Sequence, residues 1–151
     1  MPTMNIIIIN GPNLQLLGLR EPAIYGSTTL EEIQNGLQGV ADSLNVNISF
    51  FQSNHEGEIV DKIGGCLSDG TDGIVINPAA YTHTSIAIYD ALKAVSLPAV
   101  EVHISNISSR ESFRNLSMTA PACLGIIAGL GVDGYEWALR AIVKHLKQNR
   151  K

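Results

Sequence analysis

Charge is scarce in this chain, and what there is does not lean towards phosphate or lipid. Only 16% of the 151 residues are charged and the formal net charge is −4, so nucleic-acid backbones and anionic membranes are not expected partners. Long apolar runs are missing as well: Ile6 to Ile9 is far too short to span a bilayer, and no signal-peptide pattern precedes it, so a cytoplasmic protein is expected. Cysteine is limited to Cys66 and Cys123, far apart and without a CxxC, which reads as two reduced core thiols. The four histidines (55, 83, 103 and 145) lack metal-ligand spacing, and no Walker loop, GxSxG elbow or HExxH occurs. Lysines 62, 93, 144, 147 and 151 all fall in expected helices or the tail, so Schiff-base chemistry is not expected. No internal repeat, low-complexity tract or linker interrupts the chain, and residues 1–151 read as one domain.

Apolar residues are plentiful at 45%, and they come in short runs that alternate with amphipathic stretches from end to end. That alternation is the mark of a parallel sheet with helices on both faces. Strands are expected at 4–10, 46–52, 73–77, 99–104 and 124–128, where IIII, GIVIN, AVEVHI and LGIIA are continuous, as in strands covered on both sides. Helices are expected at 29–44, 56–68, 83–96 and 132–148, with a short one at 109–116. The first can be capped by either Thr28-x-x-Glu31 or Thr29-x-x-Glu32. Lys144, His145, Lys147, Arg150 and Lys151 read as the solvated end of the last helix, where cations suit the helix dipole.

Five strands with intervening helices suggest the flavodoxin-like order 2-1-3-4-5, a three-layer α/β sandwich with its ligand crevice beyond strands 1, 3 and 4. Gly129-Leu130-Gly131-Val132-Asp133-Gly134 fits GxGxxG, but a dinucleotide fingerprint needs a further strand with an acidic residue, and only the last helix follows. An FMN site is disfavoured because the loop after strand 1 begins Asn10-Gly11-Pro12-Asn13-Leu14 and lacks phosphate-binding hydroxyls. What does follow the three strands is Asn13, Arg20 and Tyr25, then Asn77, Tyr81 and His83, then Glu101, His103, Ser105 and Asn106. Amides, hydroxyls, imidazoles and one or two arginines suit an oxygen-rich ligand carrying at most one carboxylate.

The segments NGPNLQLLGLREPAIYG, GIVINPAAYTHTSIAIYDAL, VEVHISNISSRESFR and GLGVDGYEWAL resemble successive signatures of the type II 3-dehydroquinate dehydratases. The resemblance runs over nearly the whole chain. It implies a flavodoxin-like fold, conversion of 3-dehydroquinate to 3-dehydroshikimate through an enolate with no metal or cofactor, and trimers assembled into a dodecamer. By position, Tyr25 matches the family's catalytic base and Arg20 the residue on the same mobile loop that keeps the base anionic. Asn13 and Asn77 match groups that hold a water against the enolate, and His103 matches the general acid, oriented by Glu101. His83, Ile104, Ser105 and Arg114 match the substrate-binding set, and Asp90 a residue reaching a neighbouring subunit's site. Two departures are Gln15, where the family usually has Asn, and Asn115-Leu116-Ser117, where histidines are common.

The residues support these roles on their own terms. An ordinary tyrosine is ionised in roughly one molecule in a thousand at pH 7, so a tyrosine base needs a cation beside it in a partly dry pocket. Tyr25 lies in a long loop between Pro22 and Gly26, and the stretch of about 17–27 reads as a mobile lid carrying both Arg20 and Tyr25. Glu101 and His103 are two apart on an expected strand, so their side chains share a face and the carboxylate can fix the imidazole tautomer. Asn77 before Pro78 also suits a turn, and Tyr81 reads as packing. The reading from another class is a non-enzymatic flavodoxin-like module that holds a hydroxylated carboxylate through the same Asn, His and Arg groups.

Overall fold

A strand made of one apolar residue after another needs cover on both faces, and the isoleucine run finds it. In the computed structural model, which describes residues 2–150, β1 spans Asn5–Asn10. Its Ile6 and Ile8 enter one core and Ile7 and Ile9 the other, as the alternation of side chains along a strand requires. Each of these side chains is almost fully buried, a state that contributes roughly 1.5–3 kcal/mol relative to exposure.

After a single turn α1 (Pro22–Tyr25) come α2 (Leu30–Leu44), β2 (Asn47–Gln52), α3 (Glu56–Gly65), β3 (Gly73–Asn77), α4 (Ile86–Val95), β4 (Ala99–His103), β5 (Gly125–Ala128) and α5 (Gly134–Asn149). The five strands are parallel in the order β2-β1-β3-β4-β5, as expected. Helices α2 and α5 cover one face through Ile33, Leu37, Leu139 and Ile142, and α3 and α4 the other through Ile59, Ile63, Ile88 and Leu92. Of the two possible capping boxes the chain forms the second: the Thr29 hydroxyl accepts from the Glu32 N–H, and the Glu32 carboxylate accepts from the Thr29 N–H. Among the described residues no helix is long and apolar enough to cross a membrane.

Four expectations shift. Helix α3 stops at Gly65 rather than 68, where Gly64 and Gly65 weaken it. Helix α4 begins at Ile86 rather than 83 because the Ser85 hydroxyl caps the Ile88 N–H and Ala79–His83 forms a 3-10 stretch instead. The helix expected at 109–116 is replaced by two short 3-10 turns, Ile107–Ser109 and Ser112–Arg114, preceded by an Asn106 side chain that takes the Ser108 N–H. Strand β5 is an edge strand, and Leu124 and Ile126 beside and within it are 54% and 45% exposed rather than covered. Cys66 is buried and Cys123 half-buried, and both are free thiols.

The ends of β1 and β3 are tied closely together. Gly11 N–H donates to the Asn77 carbonyl at 2.8 Å, and a Cβ on Gly11 would lie 2.4 Å from the Pro78 carbonyl oxygen, so no larger residue fits without moving the backbone. Just beyond, Asn13 and Ala79 take left-handed backbone conformations with φ of 70° and 53°. The loops leaving these two strands are thereby bent sharply at the carboxyl edge of the sheet.

Candidate active site

Beyond the carboxyl ends of β1, β3 and β4 these loops enclose one crevice. Its walls include Asn13, Arg20 and Tyr25 from the loop after β1, Asn77 and His83 after β3, and His103, Ile104, Ser105, Arg110 and Arg114 from β4 onwards. This is where open parallel sheets place ligands, because adjacent connections diverge to opposite faces there.

The first loop is anchored at its start by Leu14 and Leu17, both buried. Asn13 is held by its backbone N–H, which donates to Asn54 Oδ1 at 3.0 Å. Gln15 accepts from Gln52 Nε2 at 3.0 Å, which ties the unusual residue of this segment to the end of β2. Further along, α1 starts at Pro22, whose ring suits a first helical position, and ends at Tyr25 before Gly26 at φ 79°. That single turn sets the Tyr25 ring against the crevice.

Two cations meet the Tyr25 hydroxyl oxygen. Arg110 Nη1 donates to it at 2.8 Å and Arg20 Nη2 at 3.3 Å. Both guanidiniums also lie over the ring, with Cζ 4.5 Å from its centre for Arg20 and 5.3 Å for Arg110. Arg110 reaches the Ser105 hydroxyl at 3.3 Å as well, so it links the loop after β4 to the loop after β1. Charge-assisted bonds of this kind favour an anionic oxygen at their focus.

Also on the crevice wall, His103 Nε2 bonds Glu101 Oε2 at 2.9 Å, the pairing that their spacing on a strand predicts. Glu101 is fully buried and lies behind the imidazole rather than in the crevice wall. Its carboxylate also accepts from the Ser117 hydroxyl at 2.8 Å and from the Thr119 hydroxyl. A buried carboxylate requires such partners, and together they fix its plane. His103 Nδ1 makes no hydrogen bond to the described residues and is not sealed from the crevice.

Asn77 ends β3 and is buried, with Oδ1 accepting from the Ala79 N–H at 3.1 Å and Nδ2 donating to the Tyr135 hydroxyl at 2.9 Å. His83 Nδ1 bonds the Leu116 carbonyl at 2.9 Å, and Arg114 Nε donates to Glu111 at 3.1 Å, so both are steadied from outside the crevice. Asp90 is exposed on α4 and does not line this crevice. Among the described residues no cluster of three or more His, Cys, Asp or Glu is placed to hold a metal ion.

The residues missed by the sequence reading are Arg110, Ser117, Thr119 and the Asn10–Tyr135 pair. Arg110 stands four positions before Arg114 in SSRESFR, and a second cation so near a crevice strand was the available signal. Its target was invisible, because Tyr25 is 85 positions away. Tyr25, His83 and His103, which can exchange protons, thus share one crevice with the amides of Asn13 and Asn77.

Comparison with known proteins fits this geometry. A sequence model of the family described as "Dehydroquinase class II" matches residues 4–143. The chain is 54% identical over 141 residues to the 3-dehydroquinate dehydratase of Bordetella avium, covering 93% of this chain and 98% of that protein. Against the 3-dehydroquinate dehydratase of Nitrosomonas europaea it is 57% identical over 136 residues, covering 90% and 94%. The crystal structure of a type II dehydroquinase from Butyrivibrio crossotus superposes with a TM-score of 0.92 at 50% identity, covering 93% of this chain and 97% of the other.

Proposed function

The chain belongs to the class II dehydroquinase family, and we propose that the crevice performs the family's dehydration with Tyr25 as base and His103 as acid. The protein is a lyase of the shikimate pathway that removes water from 3-dehydroquinate to give 3-dehydroshikimate. The observation that carries the assignment of roles is that two differently prepared groups line one crevice: a phenol bonded by two guanidiniums and an imidazole backed by a buried carboxylate.

Tyr25 takes a proton from the carbon beside the ring ketone, and the electron pair left behind becomes an enolate. A water held by Asn13 and Asn77 bonds the enolate oxygen. When the enolate collapses, the hydroxyl on the next carbon leaves, and His103 protonates it so that it departs as water. The new carbon–carbon double bond is conjugated with the restored ketone. The ketone is its own electron sink, so this sequence asks the protein only for a base, a polar enolate site and an acid, and no cofactor. Arg20 and Arg110 bond the phenolic oxygen, and Glu101 holds the imidazole by its Nε2–H, which leaves Nδ1 as the position from which the proton is delivered. His83, the Ile104–Ser105 segment and Arg114 bind the substrate's hydroxyls and carboxylate, Arg114 being suited to a bidentate contact.

The chain functions as one domain in the cytoplasm, with residues of about 17–27 as a lid that opens for substrate. Its assembly is a dodecamer built from trimers, in which the exposed Asp90 reaches a neighbour's crevice. The exposed apolar side chains of Leu124, Ile126 and Leu130 along the open edge of the sheet support burial against other copies. The test of function is incubation with 3-dehydroquinate while following absorbance of the conjugated enone. Catalytic turnover is expected; saturable binding with no enone would leave only a binding module.

A further inference from the structure

We propose that Tyr135 is a positioning residue for the dehydration, its hydroxyl and Asn10 together fixing which way the Asn77 amide faces. The inference rests on the role given to Asn77 above. Tyr135 stands in the first turn of α5, fully buried, and lies outside the crevice wall. Its oxygen is 2.9 Å from Asn77 Nδ2 and 2.5 Å from Asn10 Oδ1. Asn10 and Asn77 are register partners at the ends of the neighbouring strands β1 and β3, so one phenol spans both strand ends.

The polarity of this chain of bonds begins at a group whose direction is not in question. The Ala79 backbone N–H can only donate, and it donates to Asn77 Oδ1. Asn77 Nδ2 must then face Tyr135, whose oxygen accepts from it. The phenolic proton is thereby committed to Asn10, which has to present Oδ1. An Asn77 amide turned over would set its NH2 against the Ala79 N–H and, by drawing the phenolic hydrogen to its own oxygen, would set the phenol's lone pairs against Asn10 Oδ1. Both clashes would occur in a dry interior, where unpaired polar groups are most costly.

One orientation is therefore enforced, and it settles what Asn77 offers the crevice. Of the two Nδ2 hydrogens one is taken by Tyr135, and the other is what the Asn77 side chain offers, beside Asn13, to the enolate-side water. Burial pushes the Tyr135 hydroxyl above its ordinary titration range, so it remains a neutral donor to Asn10 throughout the working pH range. The phenol touches no substrate. It acts only through Asn77, and without it the amide can rotate and the donor is lost in part of the molecules.

The experiment is a double-mutant cycle on the full chain, with kcat and KM for 3-dehydroquinate measured for Tyr135→Phe, Asn77→Ala and the pair. Tyr135→Phe is expected to lower kcat by roughly 10- to 100-fold with KM changed less than about threefold, as for a misplaced positioning group. The double variant is expected to be no worse than Asn77→Ala, because each change removes the same donor. If Tyr135→Phe does not fold, Asn10→Ala takes its place in the cycle, since it frees the phenolic proton and should show the same non-additive loss. Folded Tyr135→Phe or Asn10→Ala with wild-type kcat, or losses that multiply with that of Asn77→Ala, would overturn the proposal while leaving Asn77's role standing. Wild-type kcat in Asn77→Ala would overturn the role of Asn77 and this inference with it.

Discussion

Arg110 Nη1 lies 2.8 Å from the Tyr25 hydroxyl oxygen, nearer than Arg20 Nη2 at 3.3 Å. Arg20 travels on the same loop as Tyr25, whereas Arg110 comes from beyond β4 and is 85 positions away in sequence. The surroundings of the Tyr25 hydroxyl are thus assembled from two elements, and both cations reach it only when the loop after β1 sits against the loop after β4.

Replacing Arg110 should therefore damage turnover without removing substrate binding. Arg110→Ala is expected to lower kcat by about 10²–10³, the usual loss for one preorganised charge donor. Arg110→Lys should recover little, because a single ammonium does not reproduce a fork that serves Tyr25 and Ser105 together. Steady-state kcat and KM for the two variants check this; wild-type kcat in Arg110→Ala would remove Arg110 from the base.

Thr119 is fully buried and donates to Glu101, which in turn holds His103. Thr119→Val keeps the shape and deletes the hydroxyl, leaving a buried carboxylate oxygen one donor short. A loss of about 1–3 kcal/mol in stability is expected, together with a lower kcat, and urea unfolding with parallel kinetics would read both. Unchanged stability would mean that the carboxylate draws nothing from this hydroxyl.

The proposed lid can be followed by limited trypsin digestion after Arg20, where the next residue is Glu21 rather than Pro. Within this stretch Leu17 is buried while Leu19 is 82% exposed, so it is anchored at its start and loosely held beyond. Saturating 3-dehydroshikimate should slow the cut at Arg20 specifically, because closure orders the loop. Equal rates with and without the ligand would show that the loop does not gate the crevice.

The sheet and most helix limits were readable in the sequence, since runs such as IIII and GIVIN have one physical explanation, burial on both sides. The same logic failed for LGIIA, because a run cannot reveal that its strand lies at an edge. The pairing of Glu101 with His103 was readable because it is local to one strand. Arg110 with Tyr25, and Tyr135 with Asn10 and Asn77, were not, because their partners meet only through the topology. The segment 109–116 misled for a different reason: the side chains of Asn106 and Ser109 bond the Ser108 N–H and the Asn106 carbonyl just before it, which holds the chain in the short turn Ile107–Ser109 instead of starting a helix.

Cys123 bears on alkaline stability. Burial, with the Glu101 carboxylate adding to it, pushes its thiol from 9.0 up to about 12. An unfolded chain releases this proton near pH 9 while the folded one keeps it, so the unfolded state binds fewer protons above that pH. The stabilisation is therefore complete below pH 9 and is lost progressively between pH 9 and about 12. Urea midpoints from pH 8 upwards should fall more steeply for the wild type than for Cys123→Ala; parallel curves would contradict the buried thiol.

Whether Tyr25 is the base is decided by Tyr25→Phe, in which the ring stays and only the phenolic oxygen goes. Arg114 and His83 remain to bind the substrate, so 3-dehydroquinate should still saturate the variant, as calorimetry or competition can show. The measurement is kcat from enone absorbance under saturating substrate. Turnover is expected to fall by about 10³ or more, leaving bound, unreacted 3-dehydroquinate. Turnover near the wild-type rate, in a variant that binds normally, would mean that another group takes the proton and that the two arginines around Tyr25 serve some other purpose.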